Sequence, residues 1–304
     1  MKRQRYFHKC WVMCSLSESP HNYERGERFP GRVLTVDQAS QRERLRQTFD
    51  SVAVAYQGAR PEYPEALYAE LLSLTGVRPA ADALCEVGAA SGKATLPLAR
   101  LGFAITCVEL GAALAAEARR NLAPFPKVTV VNADFETWQP ASGDESFGLV
   151  FAATAWHWID PSVKYRKAAS LLRPGGHLAF WEAVHVIPAD GDPFFHEIQA
   201  VYDEINEGMP PGSVSPTTET LPSFAAEIAA TGLFSDTVVR RFEWEIQYTA
   251  ESYIRLLETF SGHIAMEPWQ KDRLYGEIRR RLALRPNGLV RRHWGGALHV
   301  ARKS

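Results

Sequence analysis

Cysteine is scarce in this sequence. The 304 residues contain four cysteines, Cys10, Cys14, Cys85 and Cys107, and no two of them have the CxxC spacing of redox or zinc motifs. This number and spacing exclude a disulfide-stapled scaffold and are typical of reduced thiols in a cytoplasmic protein. No metal site is implied.

An excess of charge of one sign is also lacking. The 34 Lys and Arg residues nearly balance the 35 Asp and Glu residues, which gives a formal net charge of -1. The chain as a whole therefore does not attract a nucleic-acid backbone or an anionic membrane surface. We therefore expect neither a nucleic acid nor a membrane as the partner, and the oligomeric state stays open.

Long hydrophobic runs are missing as well. The longest stretch without a charged side chain in the middle of the chain, residues 146–159, is too short to cross a bilayer. The apolar residues that follow the basic N-terminal cluster are too few for the core of a secretory signal. The sequence thus predicts neither a membrane-spanning helix nor a signal peptide.

The overall composition is that of a globular protein, but the N-terminal segment differs from the rest in charge. Residues 1–44 carry nine Lys and Arg against five Asp and Glu, so this segment is +4 and the remainder is -5. The segment has no helical or strand periodicity, and proline and glycine recur in it. We predict a disordered extension over residues 1–44, with a basic arm as the alternative, and one domain over residues 45–304.

Helices and strands alternate along the first part of that domain. Short, continuously apolar runs have the length of strands, and segments of helical spacing separate them. This pattern is typical of an α/β fold, in which helices on both faces cover a mostly parallel sheet. The predicted strands are 82–87, 103–108, 128–131, 147–152, 177–181, 237–246 and 290–301, and the predicted helices are 45–56, 65–74, 93–101, 111–121, 163–172, 250–262 and 269–284.

A segment follows the fifth strand that such a sheet does not require. Residues 187–222 contain a helical stretch that ends near Asn206 and then a run rich in glycine, proline, serine and threonine. Insertions beside the carboxyl edge of this kind of sheet often cover the substrate. We predict a small helical substrate cap here.

The first strand ends in a glycine-rich turn, residues 86–93 with the sequence EVGAASGK. A P-loop would need four residues between its glycines and then Lys-Ser or Lys-Thr, but this turn has three, and Ala94 follows Lys93. A dinucleotide fingerprint would need glycine where Ala90 and Lys93 stand. Both phosphate-binding readings therefore fail.

Carboxylates follow the first three strands instead. Glu86 lies in the glycine turn and favours a cationic ligand; Glu109 ends the second strand and can accept hydrogen bonds from ribose hydroxyls. Asp134 and Phe135 follow the third strand, where a carboxylate can accept from an exocyclic amine and a ring can cover a purine. A cationic ligand with ribose and adenine but no phosphate is S-adenosylmethionine.

With these motifs in this order, the sequence resembles the class I S-adenosylmethionine-dependent methyltransferases. It is similar in particular to the small-molecule branch with trans-aconitate and ubiquinone/menaquinone-biosynthesis methyltransferases. The resemblance implies a Rossmann-like sheet of seven strands, the last antiparallel to the rest. The motifs that carry it are residues 86–93, 108–110, 133–135, 147–150 and 171–176.

The resemblance also implies roles for single residues. Arg60 and Tyr56 match a segment that closes over the cofactor in this branch, and Arg60 would pair with its carboxylate. The other implied cofactor contacts are Glu86, Gly88, Ala89 and Gly92 around the methionine portion, Glu109 with Leu110 at the ribose, and Asp134 with Phe135 at the adenine.

Two features of the motifs depart from a common pattern. The family usually has glycine where this chain has Ala90, so we expect a modest shift in cofactor binding. The fourth strand is not followed by the Asn/Asp-Pro-Pro-Tyr/Phe motif of many nucleic-acid amino-methyltransferases. It leads instead to His157, which is a candidate general base for an acceptor that must lose a proton, although packing is the more frequent role there.

These observations predict methyl transfer from S-adenosylmethionine to the oxygen, carboxyl group or carbon of a small molecule. Two alternatives remain open at this stage. One is a methyltransferase that acts on a macromolecule, and the other is a protein that binds the cofactor without catalysis.

Overall fold

The computed structural model describes residues 59–304 apart from positions 142, 144 and 211. The predicted extension 1–44, the predicted helix 45–56 and Tyr56 lie outside the described residues. The described helices are α1 Glu65–Thr75, α2 Thr95–Arg100, α3 Ala112–Leu122, α4 Lys164–Leu171, α5 Phe194–Glu197, α6 Gln199–Glu204, α7 Ala225–Ala230, α8 Ala250–Leu257, α9 Ser261–Ile264 and α10 Pro268–Ala283. The strands are β1 Ala83–Val87, β2 Ala104–Glu109, β3 Val128–Asn132, β4 Phe147–Ala153, β5 Leu172–Trp181, β6 Val184–Val186, β7 Phe234–Thr249 and β8 Leu289–Lys303.

The first five strands form a parallel sheet in the order β3-β2-β1-β4-β5. The chain builds outward from β1 through β2 to β3 and then crosses back to add β4 on the other side of β1. In a sheet of this kind, ligands bind outside the carboxyl ends of the strands where the order reverses, which here lies between β1 and β4. The predicted α/β fold with a mostly parallel sheet is confirmed.

The closing strand β8 is antiparallel to its neighbours. It pairs with β5 through residues 299–302 and with β6 through residues 293–295 on one side, and with β7 on the other side. The predicted antiparallel last strand is confirmed, and within the described residues the short strand β6 adds an eighth strand to the seven predicted. The ladder on β8 is interrupted between β5 and β6, because the N–H of Ala183 donates to the Thr154 hydroxyl, 3.1 Å away.

Both faces of the parallel sheet are buried, which explains why its strands lack a polar alternation. On one face, Leu84 of β1 packs with Leu67 of α1 and Leu98 of α2. On the other face, Cys85 packs with side chains of α4 and α7, among them Ile228. Burial raises the pKa of the Cys85 thiol, which therefore behaves as a small apolar side chain.

A third hydrophobic cluster is helical. Fully buried side chains of α5 and of the segment after α6, Phe194 and Ile205, pack with Leu256 of α8 and Ile278 of α10. The predicted cap segment 187–222 thus shares its core with helices that lie after β7 in the sequence. Its role as a substrate cap stays a prediction. Within the described part of the chain, no helix has the length and apolarity to cross a membrane.

The amino-terminal edge of the sheet is held by an ion pair in which the Asp82 carboxylate is buried, whereas Arg173 is about half exposed. The Asp82 carboxylate, just before β1, accepts from Arg173 Nη2 at 2.7 Å and from the Arg78 N–H at 2.9 Å. Gly148 of β4 leaves the room for it, since a Cβ at that glycine would lie 2.6 Å from Asp82 Oδ1. Burial alone would raise the pKa of Asp82, but the Arg78 and Arg173 donors outweigh it and lower that pKa.

We therefore expect Asp82→Asn to lower the free energy of unfolding by about 1–3 kcal/mol at neutral pH. Because the folded-state pKa lies below the unfolded value of about 3.9, the carboxylate stabilises the fold above that pH. The contribution is lost as the pH falls through the folded-state pKa. Urea unfolding at pH 7 and at pH 3 measures the difference, which should shrink at the lower pH.

A matched control is Asp236→Asn. Asp236 pairs with Arg302 at 2.8 Å, but both side chains are at least half exposed, so we expect a change below about 0.5 kcal/mol. Equal effects of the two substitutions would contradict a special role of the Asp82 pair.

Candidate functional site

The turn between β1 and α2 depends on two glycines. Gly88 and Gly92 have φ values of +67° and +87°, a region that side chains with a Cβ rarely adopt. A Cβ on Gly88 would also lie 2.6 Å from the Ala155 Cβ, and one on Gly92 would lie 2.8 Å from a Leu122 methyl group. The backbone of the turn therefore passes too close to its neighbours for any other residue.

Ala90 stands in the same turn with a φ of +48°. The left-handed conformation costs an alanine about 1–2 kcal/mol, which gives a physical reason why glycine is usual at this position. The Ala90 N–H donates to Glu109 Oε2 at 2.7 Å. This hydrogen bond accompanies the strained conformation and joins the turn to the end of β2.

Glu109 connects three segments of the site edge. Its Oε1 accepts from the Gly111 N–H at 2.8 Å while Oε2 accepts from Ala90. The Asn132 side chain at the end of β3 donates to the Glu109 carbonyl at 2.9 Å. Both carboxylate oxygens thus bind main-chain N–H groups, which fixes the carboxylate at the site edge, and a carboxylate oxygen can accept more than one hydrogen bond.

Glu86 differs from its sequence-based interpretation as a negative charge. It is 1% exposed and accepts a hydrogen bond from the Thr95 hydroxyl. Burial outweighs the Thr95 hydrogen bond, which lowers the pKa of Glu86, and together with the nearby charge of Glu109 it raises that pKa to about 8. At neutral pH the side chain is therefore mostly a neutral carboxyl group, because its solvation in water is lost.

A cleft of about 440 Å³, open to solvent, lies against this turn. We call it the glycine-loop cleft. The buried Ser91 hydroxyl has no hydrogen-bond partner among the described residues, and together with the close backbone approach at the glycines it suits a polar ligand. The lining residues are Arg60, Pro61, Tyr63, Glu86, Gly88, Ala89, Ala90, Ser91, Lys93, Ala94, Ala153, Thr154 and Ala183.

Arg60 is held at the mouth of the glycine-loop cleft. Its Nη2 donates to the Thr259 carbonyl at 2.8 Å, and its guanidinium carbon lies 4.3 Å from the centre of the Phe260 ring. The Lys93 ammonium group donates to the Arg60 carbonyl at 2.6 Å. Backbone and side chain are thus both fixed, which keeps a positive charge beside the cleft.

The opposite wall contains a strained residue. Thr154 follows β4 with a φ of +56°, which is a genuine outlier for a β-branched side chain. Its hydroxyl lies 2.8 Å from the Tyr63 hydroxyl and accepts from the Ala183 N–H. Three segments that are distant in sequence meet at this hydroxyl, and strained residues of this kind concentrate at functional sites.

The structure brings only part of the predicted site into this cleft. Arg60, Glu86, Gly88 and Ala89 line it. The remaining predicted residues lie at its border or at the neighbouring strand ends outside its lining. Glu109 reaches the cleft through Ala90, Gly92 closes the turn, and Leu110, Asp134 and Phe135 follow β2 and β3, with Phe135 packed in the core. Their roles in cofactor binding stay predictions.

His157 lies in a short 3₁₀ helix, Trp156–Trp158, after β4. Its Nδ1 is 2.8 Å from Glu182 Oε1. Although burial would raise the pKa of Glu182, the charge and hydrogen bond of His157 hold that pKa below its usual range. His157 does not line the glycine-loop cleft, and its role as a general base stays a prediction.

A second pocket, of about 700 Å³ and likewise open to solvent, adjoins the first and shares Ala183 with it. We call it the aromatic cavity. Its lining residues are Ala183, Val184, His185, Phe195, Ile198, Gln199, Tyr202, Pro216, Tyr253, Leu257, Phe260, His263, Arg292 and Trp294. Phe195, Ile198, Gln199, Tyr202 and Pro216 belong to the predicted substrate cap 187–222, but none of the lining residues was predicted individually.

One signal for the aromatic cavity was present in the sequence. Arg291 and Arg292 are consecutive on a strand, and consecutive strand residues point to opposite faces. One of the two arginines therefore had to point inward. The structure shows Arg292 buried and Arg291 partly exposed.

Comparisons with known proteins all identify methyltransferases. A family model described as a methyltransferase domain matches residues 85–180. The chain is 30% identical over 190 residues to the malonyl-[acyl-carrier protein] O-methyltransferase of Geobacter sulfurreducens, with 61% of this chain and 67% of that protein covered.

An uncharacterized methyltransferase of Mycobacterium tuberculosis is 30% identical over 162 residues, which cover 48% of this chain. The chain spans 61% of the length of that relative. A solved structure from Anaeromyxobacter dehalogenans is 24% identical to this chain, with a TM-score of 0.55. It is assigned to the type II methyltransferases, without an established activity. That alignment covers 80% of this chain and 97% of the other, and it shows a shared fold.

We expect Glu109→Ala to weaken S-adenosylmethionine binding at least about tenfold, because the substitution removes the acceptor for a diol and for two backbone N–H groups. Titration calorimetry with the full chain measures the dissociation constant. His157→Ala is the comparison and should change it less than about threefold. An unchanged affinity in the Glu109 variant would contradict the predicted site.

Gly88→Ala should abolish measurable cofactor binding, since the added methyl group meets Ala155 and the backbone conformation is disfavoured. Gly102→Ala is a matched control. Gly102 has a φ of +88°, but a Cβ there meets no atom within 4 Å, so it should cost about 1–2 kcal/mol of stability without affecting binding. The same calorimetric titration tests both variants, and equal losses of affinity would refute the steric argument.

Proposed function

We propose that this chain, which belongs to the class I S-adenosylmethionine-dependent methyltransferases, transfers a methyl group from that cofactor to a small-molecule acceptor. The observation that carries the proposal is the adjacency of two cavities. The glycine-loop cleft and the aromatic cavity share Ala183, so ligands in the two would meet. A pocket lined mainly by aromatic and apolar side chains suits a small organic molecule.

In this proposal the glycine-loop cleft holds the cofactor. The backbone at Gly88 and Gly92 allows close approach, Glu109 accepts hydrogen bonds from the ribose, and Arg60 pairs with the carboxylate. Asp134 and Phe135 take the adenine, with Leu110 beside the ribose. The cofactor supplies an activated methyl group on a positively charged sulfur.

The protein then has to align the acceptor and exclude water, because methyl transfer is an in-line displacement. The Tyr63 and Thr154 hydroxyls, 2.8 Å apart, bridge the walls of the glycine-loop cleft. This contact keeps the wall next to Ala183 in place. An acceptor that must lose a proton would need a base, for which His157 with its partner Glu182 is the candidate.

A small acceptor is favoured over a macromolecule by the walls of the aromatic cavity. They include the fully buried or nearly buried side chains Phe195, Ile198 and Trp294, which a folded macromolecule could not reach. The near-neutral charge of the chain also gives no attraction to nucleic acid. The Geobacter relative is named for a malonyl group on an acyl-carrier protein. A carrier-bound acceptor is therefore tested together with free small molecules.

The test uses S-adenosylmethionine with an isotopically labelled methyl group, the full chain and a cell extract separated by size into low-mass and macromolecular fractions. We expect formation of S-adenosylhomocysteine that depends on the low-mass fraction, and label in a small molecule identified by mass spectrometry. Gly88→Ala is the inactive control.

Two results would overturn the proposal. Label in protein, carrier protein or nucleic acid would establish a macromolecular or carrier-bound acceptor. Calorimetric binding of S-adenosylmethionine without turnover in either fraction would identify a cofactor-binding protein without catalysis.

A further inference from the structure

Arg292 of β8 is a buried positive charge that lines the aromatic cavity. It is 5% exposed. Its Nη1 donates to the Tyr253 hydroxyl at 3.2 Å, whereas its Nε has no hydrogen-bond partner among the described residues. None of the ion pairs found within residues 59–304, as far as they are described, includes Arg292. A guanidinium group has five N–H donors, and the hydrogen bond to Tyr253 uses only one of them.

Aromatic rings hold this charge in place. The guanidinium carbon lies 4.4 Å from the centre of the Trp294 ring and 5.6–5.9 Å from those of Phe260, Tyr253 and Phe195. Rings attract a cation through their faces but accept no conventional hydrogen bond from it. The cage therefore fixes the position of the guanidinium without satisfying its donors, which suits a group that awaits a bound partner.

No other charge in the lining balances Arg292. Lys, Asp and Glu are absent from the residues that line the aromatic cavity. Burial, together with the charge of Arg292, lowers the pKa of His185 well below its usual value and lowers that of His263 to about 3. Both imidazoles are therefore neutral at pH 7, and the cavity carries a net charge of +1.

The position of Arg292 connects it to the cofactor side. The Phe260 ring lies against Arg292 in the aromatic cavity and, at 4.3 Å, against the Arg60 guanidinium beside the glycine-loop cleft. A ligand paired with Arg292 would thus lie one ring away from the group predicted to bind the cofactor. The other walls combine apolar side chains, among them Val184 and Leu257, with uncharged polar ones such as Gln199.

From these observations we infer that the aromatic cavity binds an organic carboxylate with an apolar body, and that Arg292 forms the ion pair with that carboxylate. The inference rests on the proposed function, because it names the substrate class of the same site. A planar carboxylate matches the guanidinium fork and brings one negative charge against one positive charge. A phosphate monoester would bring nearly two charges, and the cavity offers no second cation.

The test is direct binding, so it does not require turnover. Calorimetry or ligand-observed NMR compares three matched pairs of probes on the full chain, with and without S-adenosylhomocysteine. The pairs are 3-phenylpropionate with 3-phenylpropionamide, octanoate with octanamide, and benzoate with benzamide. We expect at least one carboxylate to bind about tenfold or more tightly than its amide.

Arg292→Met should reduce this preference to less than about threefold while leaving the affinity for S-adenosylhomocysteine unchanged. Arg292→Gln serves the same purpose if the methionine variant does not fold. The matched control is Arg291→Met, because the adjacent Arg291 side chain donates to the Asp190 carbonyl outside the cavity. That control should keep the preference.

Several results would overturn the inference. They are the absence of a carboxylate preference in all three pairs, a preference that survives both Arg292 variants, and tighter binding of phenyl phosphate than of every carboxylate. A carboxylate preference that depends on Arg292, found together with no methyl transfer in any fraction, would support the inference and refute the proposed function.

Discussion

The burial of both faces of the parallel sheet is the constraint on which the site depends. Side chains of β1, β2 and β4 are packed between helices on either side, so a polar group is costly along these strands unless it is paired. Polar chemistry is therefore confined to the strand ends. The exception, Glu86, illustrates the rule, because burial raises its pKa to about 8 and so removes its charge at neutral pH.

At the strand ends, main-chain hydrogen bonds fix the loops around the glycine-loop cleft relative to one another. Glu109 binds the N–H groups of Ala90 and Gly111, which fixes the end of β2 to the turn after β1. The left-handed Ala90 and Thr154 store backbone strain on the two sides of the same cleft. Preorganisation of this kind keeps the ligand contacts in position before a ligand arrives.

Sequence reasoning predicted the sheet and its carboxyl edge because both depend on local signals. Continuous apolar runs identify buried strands, and the residue that ends each run must lie at the edge, as Glu109 does. The eighth strand was missed since Val184–Val186 is only three residues long and forms through pairing with β8. The charge on Glu86 was misjudged because its pKa depends on burial, which no local pattern reports.

Apart from the inward-facing arginine on β8, the walls of the aromatic cavity could not be predicted, and the physical reason is a different one. Its walls join Phe195, Tyr253 and Trp294, which come from separate elements and meet only after the helical cluster has packed. Each of these rings alone is indistinguishable from a core residue in the sequence. The glycine-loop cleft is thus encoded in short consecutive motifs, whereas the aromatic cavity depends on long-range packing around β8. Because Arg292 lies on that strand, a change in the packed helices can reshape the aromatic cavity without altering the strand ends.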